Sequence, residues 1–239
     1  MSKKYIFIMC IALTFSLSTN AYAMHIAEGF LPPVWSEVYF VLAAPFVIKG
    51  IRQIRKGTRN KKDLKMLLGL AAAYCFVLSA MKLPSVTGST SHPTGTGLGA
   101  IIFGPFVTSV VSVIVLLFQA LLLAHGGITT LGANVFSMGI VGPIISYLVF
   151  IGLKSKNKKA AVFLAAMLGD LTTYLVTSIQ LALAFPSTTG GVLHAFIKFV
   201  SIFAITQIPL AIVEGIITSI IFEFVEKSAS KELKDLSEV

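Results

Sequence analysis

Gly97-Leu98-Gly99-Ala100-Ile101-Ile102-Phe103-Gly104-Pro105-Phe106 opens an apolar run that continues to Ala124. How this run is divided decides the topology. If Leu98 to Ala124 is one helix, the Lys154-Ser155-Lys156-Asn157-Lys158-Lys159 loop and the basic C-terminal tail lie across the bilayer from the Arg52 to Lys65 cluster. That distribution violates the positive-inside rule. If instead Gly97 to Pro105 is a short, buried, half-length segment and Phe106 to Ala124 a separate helix, every basic stretch falls on one side. Proline removes a backbone donor and kinks or breaks a helix, so Gly104-Pro105 is where the run is broken. Broken helices at membrane depth are tolerated only where protein buries them or a cavity adjoins them. Parity therefore places a binding site near His92, just before the break.

Composition agrees with a membrane chain. Of 239 residues, 56% are hydrophobic and 12% charged, against about 25% charged in an ordinary soluble domain. Apolar runs of roughly 18 residues or more, enough to cross a bilayer, recur throughout. The expectation is an all-α integral membrane protein, a bundle of about seven transmembrane segments in the mature chain, one short and broken. The expected helices run from about Val34 to Gly50, Met66 to Leu83, Phe106 to Ala124, after Asn134 to Leu153, Ala160 to Phe185 and Val192 to Phe224, the last kinked at Pro209. The net charge of +9 lies in short loops and the chain ends, where it orients the protein in the membrane and does not imply nucleic-acid binding. The expected location is the plasma or inner membrane, multi-pass, with the mature N-terminus outside and the C-terminus cytoplasmic.

Residues 1–23 have the organisation of a secretory signal peptide: Lys3 and Lys4, an apolar Tyr5 to Leu17, then Ala21-Tyr22-Ala23. Residues 24–239 would form one transmembrane substrate-binding domain. Cleavage after Ala23 makes Met24 an N-terminus and His25 the second residue. An amine, the next backbone nitrogen and an imidazole Nδ1 can close five- and six-membered rings on one metal ion, leaving one in-plane position open. Cys10 falls in the signal peptide, so the mature chain keeps only Cys75 and has neither an internal disulfide nor a cysteine metal site.

Four histidines occur: His25, His92, His125 and His194. A lone membrane histidine is more often a structural hydrogen-bonder than a ligand. His25 stands apart through its place after a cut site, and His92 through its Gly/Thr-rich outer loop beside the broken segment. His125 and His194, near outer helix ends, are read as structural or supporting. Asp170 lies inside a helix and is either a functional carboxylate or a buried acid held by Thr hydroxyls. Glu214 is read toward the cytoplasmic end of the last helix, at a partner contact, and Glu28 and Asn134 as residues that orient a ligand. The small-residue stripes Ala71, Cys75, Ser79; Ala120, Ala124; and Ala161, Ala165 are read as helix packing within the chain. No G-x-x-x-x-G-K-[ST] occurs, so ATP binding through a P-loop is excluded. A metal-dependent membrane hydrolase would need an open metal position and a nearby base, and no carboxylate adjoins the chelator. A proton-driven secondary transporter would lean on Asp170.

Met24-His25-Ile26-Ala27-Glu28-Gly29-Phe30-Leu31-Pro32, the loop Leu83-Pro84-Ser85-Val86-Thr87-Gly88-Ser89 with Ser91-His92-Pro93-Thr94-Gly95-Thr96-Gly97, Ala124-His125-Gly126-Gly127 through Thr130-Leu131-Gly132-Ala133-Asn134, and Thr206-Gln207-Ile208-Pro209 resemble the CbiM family. These are cobalt-specific substrate-binding (S) subunits of energy-coupling-factor transporters. The resemblance covers nearly all of the mature chain. It implies cobalt bound by the Met24 amine, the His25 backbone nitrogen and imidazole, and His92, with no organic cofactor and no enzyme activity of its own. It also implies a small auxiliary membrane subunit, a transmembrane coupling subunit and two ATPase subunits, with the cobalt supplying cobalamin synthesis. Nickel subunits share these ligands, so nickel uptake is the alternative. The paired alanines by which the family docks its coupling subunit are not clear on the Met66 to Leu83 helix, so that surface is left unassigned.

Overall fold

The computed structural model describes residues 25–58, 61–84 and 90–237. Met24 and the expected signal peptide lie outside the described residues. Helix α1 (Pro33–Gly57) and α2 (Lys62–Ala80) come first, then a short antiparallel pair, β1 (Leu83–Pro84) and β2 (Thr90–Ser91). The short α3 (Thr96–Phe103) is followed by α4 (Pro105–Leu123). One span is continuous from α5 (Leu131–Asn134) through a π-helical segment (Val135–Val141) into α6 (Gly142–Leu153). The chain ends with α7 (Lys158–Ala184), α8 (Gly191–Ser228) and α9 (Ser230–Ser237). Among the described residues, six helical stretches are long and apolar enough to cross a membrane. With α3 they make the expected bundle containing one half-length segment.

The break at Gly104-Pro105 is real and sharp. Gly104 has φ 82°, closed to most side chains, and Pro105 starts α4 with the φ a first turn needs. Both ends of the Leu98 to Ala124 run return to one place, since the rings of His92 and His125 lie 4.9 Å apart. The run is a helical hairpin, as the charge distribution required. Its tip points to the basic end: Phe103 shares a cavity wall with Lys56, and Phe103 and Gly104 share another with Lys154, Lys158 and Glu226. Lys158 pairs with Glu226, bringing the second basic loop to the tail.

Close approach, rather than bulk, places α3. Ala100 is fully buried, as is nearly all of Leu98. A Cβ on Gly97 would come within 2.8 Å of the Ala166 Cα on α7, and one on Gly95 within 2.8 Å of the Cys75 Cα on α2. Without a strong hydrophobic drive inside a bilayer, such small-residue contacts supply the packing between helices. The Ala71, Cys75, Ser79 stripe is buried against this hairpin, as are Ala161 and Ala165 in the core. Ala124, by contrast, is exposed. Elsewhere large apolar side chains face outward, such as Val41 on α1 and Leu122 on α4, as lipid contact demands.

Helices α1 and α2 differ most from the sequence expectation, and α8 runs on to Ser228. α1 runs on through Arg52, Arg55 and Lys56, since long basic side chains are good helix formers. α2 starts at Lys62 and stops at Ala80, because Leu83 and Pro84 pair with Ser91 and Thr90 instead.

Candidate metal centre

The N-terminal segment is threaded into the bundle by polar side chains. Asn134 grips Ile26 on both edges: Ile26 N–H donates to Asn134 Oδ1 at 2.9 Å, and Asn134 Nδ2 donates to Ile26 O at 3.0 Å. The Thr130 hydroxyl donates to the same Ile26 carbonyl at 2.6 Å. Glu28 accepts from the Ile128 and Thr129 amides, and Gly29 N–H donates to the Thr129 hydroxyl. Hydrogen bonding by Thr129 holds the Glu28 carboxyl below its usual range. Glu28 and Asn134 therefore orient the segment carrying His25, with Glu28 acting through the loop after His125.

His25 is 2% exposed, and its tautomer is assigned by a relay of donors. Ser79 Oγ donates to Cys75 O, so it accepts from Gln119 Nε2. That turns Gln119 Oε1 toward His25 Nε2, at 3.0 Å. His25 Nε2 must carry the hydrogen, which leaves Nδ1 with its lone pair. This is the nitrogen that a chelate ring from the chain's own backbone would use.

His92 takes the opposite tautomer. Its Nδ1 lies 2.8 Å from Pro93 O and donates to it, so Nε2 carries the lone pair; it is buried and has no hydrogen-bond partner. A hydrogen bond on one ring nitrogen fixes which nitrogen is free for a metal. The loop bearing His92 is held from below. Gln207 Nε2 donates to His92 O at 3.2 Å, and Glu214 accepts from the Thr94 amide, the Thr94 hydroxyl and the Gly95 amide.

A third imidazole completes the cluster. His125 is 3% exposed and its Nε2 is buried without a partner. His25 lies 4.6 Å from both His92 and His125, ring centre to ring centre. One ring nitrogen of each histidine falls within 4.8 Å of the others. Burial drives the His25 imidazole well below its ordinary pKa, helped by His92 and His125. Burial lowers His92 to about 4 and lowers His125 as well. All three are thus neutral near pH 7, the form in which imidazole binds a metal.

The structure brings His25 and His92 together and adds His125, which the sequence alone presents as structural or supporting. Its signal was there in position: the Ala124-His125-Gly126-Gly127 turn lies on the same face as His25 and precedes a polar stretch ending at Asn134. His194 is exposed on α8 and stays outside the cluster. Glu214 needs correction. It is fully buried and clamps the His92 loop rather than meeting a partner, because that loop descends deep into the bundle. Asp170 is held by Gln207 at 2.6 Å, not by Thr hydroxyls; Thr172 and Thr173 bond their own helix carbonyls.

A polytopic helical membrane protein with a buried, neutral, all-nitrogen cluster is defined here, a class suited to borderline transition metals and poorly suited to Mg or Ca. Residues 25–232 match the family model described as the cobalt uptake substrate-specific transmembrane region, CbiM. The chain belongs to the CbiM family. It is 68% identical over 239 residues to the cobalt transport protein CbiM of Clostridium tetani (strain Massachusetts / E88), covering 100% of this chain and 99% of that one. It is 66% identical over 208 residues to the CbiM of Desulforamulus reducens (strain ATCC BAA-1160 / DSM 100696 / MI-1), covering 87% of this chain and 83% of that protein. A crystal structure of a truncated transition metal transporter superposes with a TM-score of 0.74 at 25% identity, covering 85% of this chain and 98% of that one.

Proposed function

We propose that this chain binds cobalt(II) as the cargo of an ATP-driven energy-coupling-factor uptake system and supplies it for cobalamin synthesis. One observation carries the reading: three buried, neutral imidazoles converge where the N-terminal segment enters the bundle, two of them with an unpartnered Nε2. The relatives' names direct the choice of metal to cobalt. In this reading the signal peptide is removed after Ala23, and the Met24 amine joins the His25 backbone nitrogen, His25 Nδ1 and His92 Nε2, with His125 beside them. The protein is not itself an enzyme. It lacks a P-loop, so a coupling subunit, two ATPases and a small auxiliary membrane subunit provide the energy and assembly. The histidine end faces outside and the basic end the cytoplasm.

Elemental analysis of the purified mature protein, from cells given cobalt and nickel together, tests the reading. Cobalt stoichiometric with protein is expected. Nickel in its place would make this a nickel-uptake subunit, and no metal at all would overturn the site. For orientation, a cysteine placed at Lys156 is expected to resist membrane-impermeant reagent added to intact cells; labelling from outside would reverse the topology.

A further inference from the structure

Two buried carboxyl groups lie beneath the His92 loop, and they are bonded unequally. Glu214 uses both oxygens. Oε2 accepts from Thr94 N–H at 2.5 Å, and Oε1 from the Thr94 hydroxyl and Gly95 N–H, each at 2.9 Å. Gly95 is the residue from which α3 starts, so Glu214 lies at the positive end of a helix dipole. A carboxylate with three donors and a helix N-terminus keeps its negative charge readily.

Asp170 has no such support. It is fully buried, and one oxygen, Oδ2, accepts from Gln207 Nε2 at 2.6 Å. Its Oδ1 has no partner, and neither does Gln207 Oε1. Two bare acceptors thus belong to two groups that already share one hydrogen bond. If Asp170 were ionised, both would stay unsatisfied where no bulk water reaches, at full desolvation cost. A single proton removes the conflict. Placed on Asp170 Oδ1, it donates to Gln207 Oε1 and closes a cyclic acid–amide pair. The second N–H of Gln207 remains for His92 O, at 3.2 Å. The better-supported Glu214 keeps the charge, and Asp170 takes the proton.

We propose that Asp170 is a proton-bearing, neutral acid and that, through Gln207, it is a positioning residue for the backbone of His92. The proton rests on the hydrogen-bond geometry alone, whereas the service to His92 rests on the metal-binding reading above.

Infrared spectroscopy of the purified protein reads the proton directly, as the carbonyl band of an un-ionised carboxylic acid. The band is expected in the native protein at neutral pH, absent from Asp170→Asn and retained in Glu214→Gln. No such band in the native protein, or a band that survives Asp170→Asn, would overturn the assignment. Titration with cobalt(II) chloride reads the positioning. Asn can pair with Gln207 as a neutral acid does and Leu cannot, so Asp170→Asn is expected to bind about tenfold more tightly than Asp170→Leu, the size of an outer-shell effect. Equal affinity in the two variants would overturn the positioning role. Should the Leu variant not fold, Gln207→Leu replaces it, with the same tenfold expectation. Absence of cobalt binding in every form, with the infrared pattern intact, would refute the metal reading and leave the proton in place.

Discussion

His25 and His92 face each other across 4.6 Å, yet the two halves of the site are built by different means. The His25 half is a chain segment whose residues at the site, His25 and Ile26, are held by neutral amides and a hydroxyl: Gln119 on α4, Asn134 on α5 and Thr130 just before it, with Glu28 anchoring the segment farther on. The His92 half is a loop fixed from inside the bundle by Gln207 and Glu214, both on α8, with Asp170 of α7 behind Gln207. The first support grips the segment that leads into α1. The second leaves the loop little freedom, because Gly95 at φ 68° abuts the α2 backbone and Glu214 holds both Thr94 and Gly95. In the proposed cobalt complex the ion would bridge the entering N-terminal segment and this fixed loop.

The largest expected effect comes from removing either face of that bridge. His25→Ala and His92→Ala should each weaken cobalt binding by more than the roughly 100-fold that marks an outer-shell change, measured by calorimetry. A loss confined to one histidine would show that the other is only support. Next comes an extra residue placed before Met24, which moves the amine off its chelate ring. Its metal content should fall well below that of Met24→Ala, which keeps the amine. An extended protein that binds as well as native would place the metal elsewhere.

Smaller effects separate the two supports. Gln119→Leu frees the His25 tautomer and Gln207→Leu frees the His92 loop. Each should cost about tenfold or more in affinity. If the supports are independent, the two losses should multiply in the double variant; strong non-additivity would mean that the halves form one network. The smallest effect concerns pH. Burial keeps His92 neutral down to about 4, so its contribution to folding is full above its unfolded pKa and is lost as pH falls through the folded value. Between about pH 8 and 6 the loss of cobalt binding should therefore follow the α-amine, with a pKa of about 7.7–8.0. An added proton-linked step near pH 6.5, removed by His125→Ala, would show that His125 titrates as an exposed histidine does.

The hairpin was legible before any coordinates, because Gly104-Pro105 is a local rule and the basic loops are a global one, and both demand the same break. His25 and His92 were legible from their neighbours in sequence. His125 carried only the weaker signal of its outer turn, since its ring reaches the site only because α4 returns to where α3 began. Glu214 was misplaced for a related reason. Counting residues along α8 puts it toward the basic end, but the His92 to Gly95 loop descends to meet it. Depth in a membrane protein is shared between a helix and whatever dips toward it, and sequence position reports only the helix. The partners of Asp170 were missed because the nearest hydroxyls, those of Thr172 and Thr173, are used by their own helix.

The bonds that hold the His92 loop join residues 115 to 120 positions apart, and this has a consequence for biosynthesis. A ribosome that has delivered the chain as far as α7 has already delivered all three histidines, yet nothing that grips the His92 loop from α8. Until the last span emerges and docks, a nascent chain carries the ligands without the mould that shapes them. Completion of the centre then coincides with completion of the polypeptide, and a chain stopped short of α8 lacks the Gln207 and Glu214 bonds that set the His92 loop.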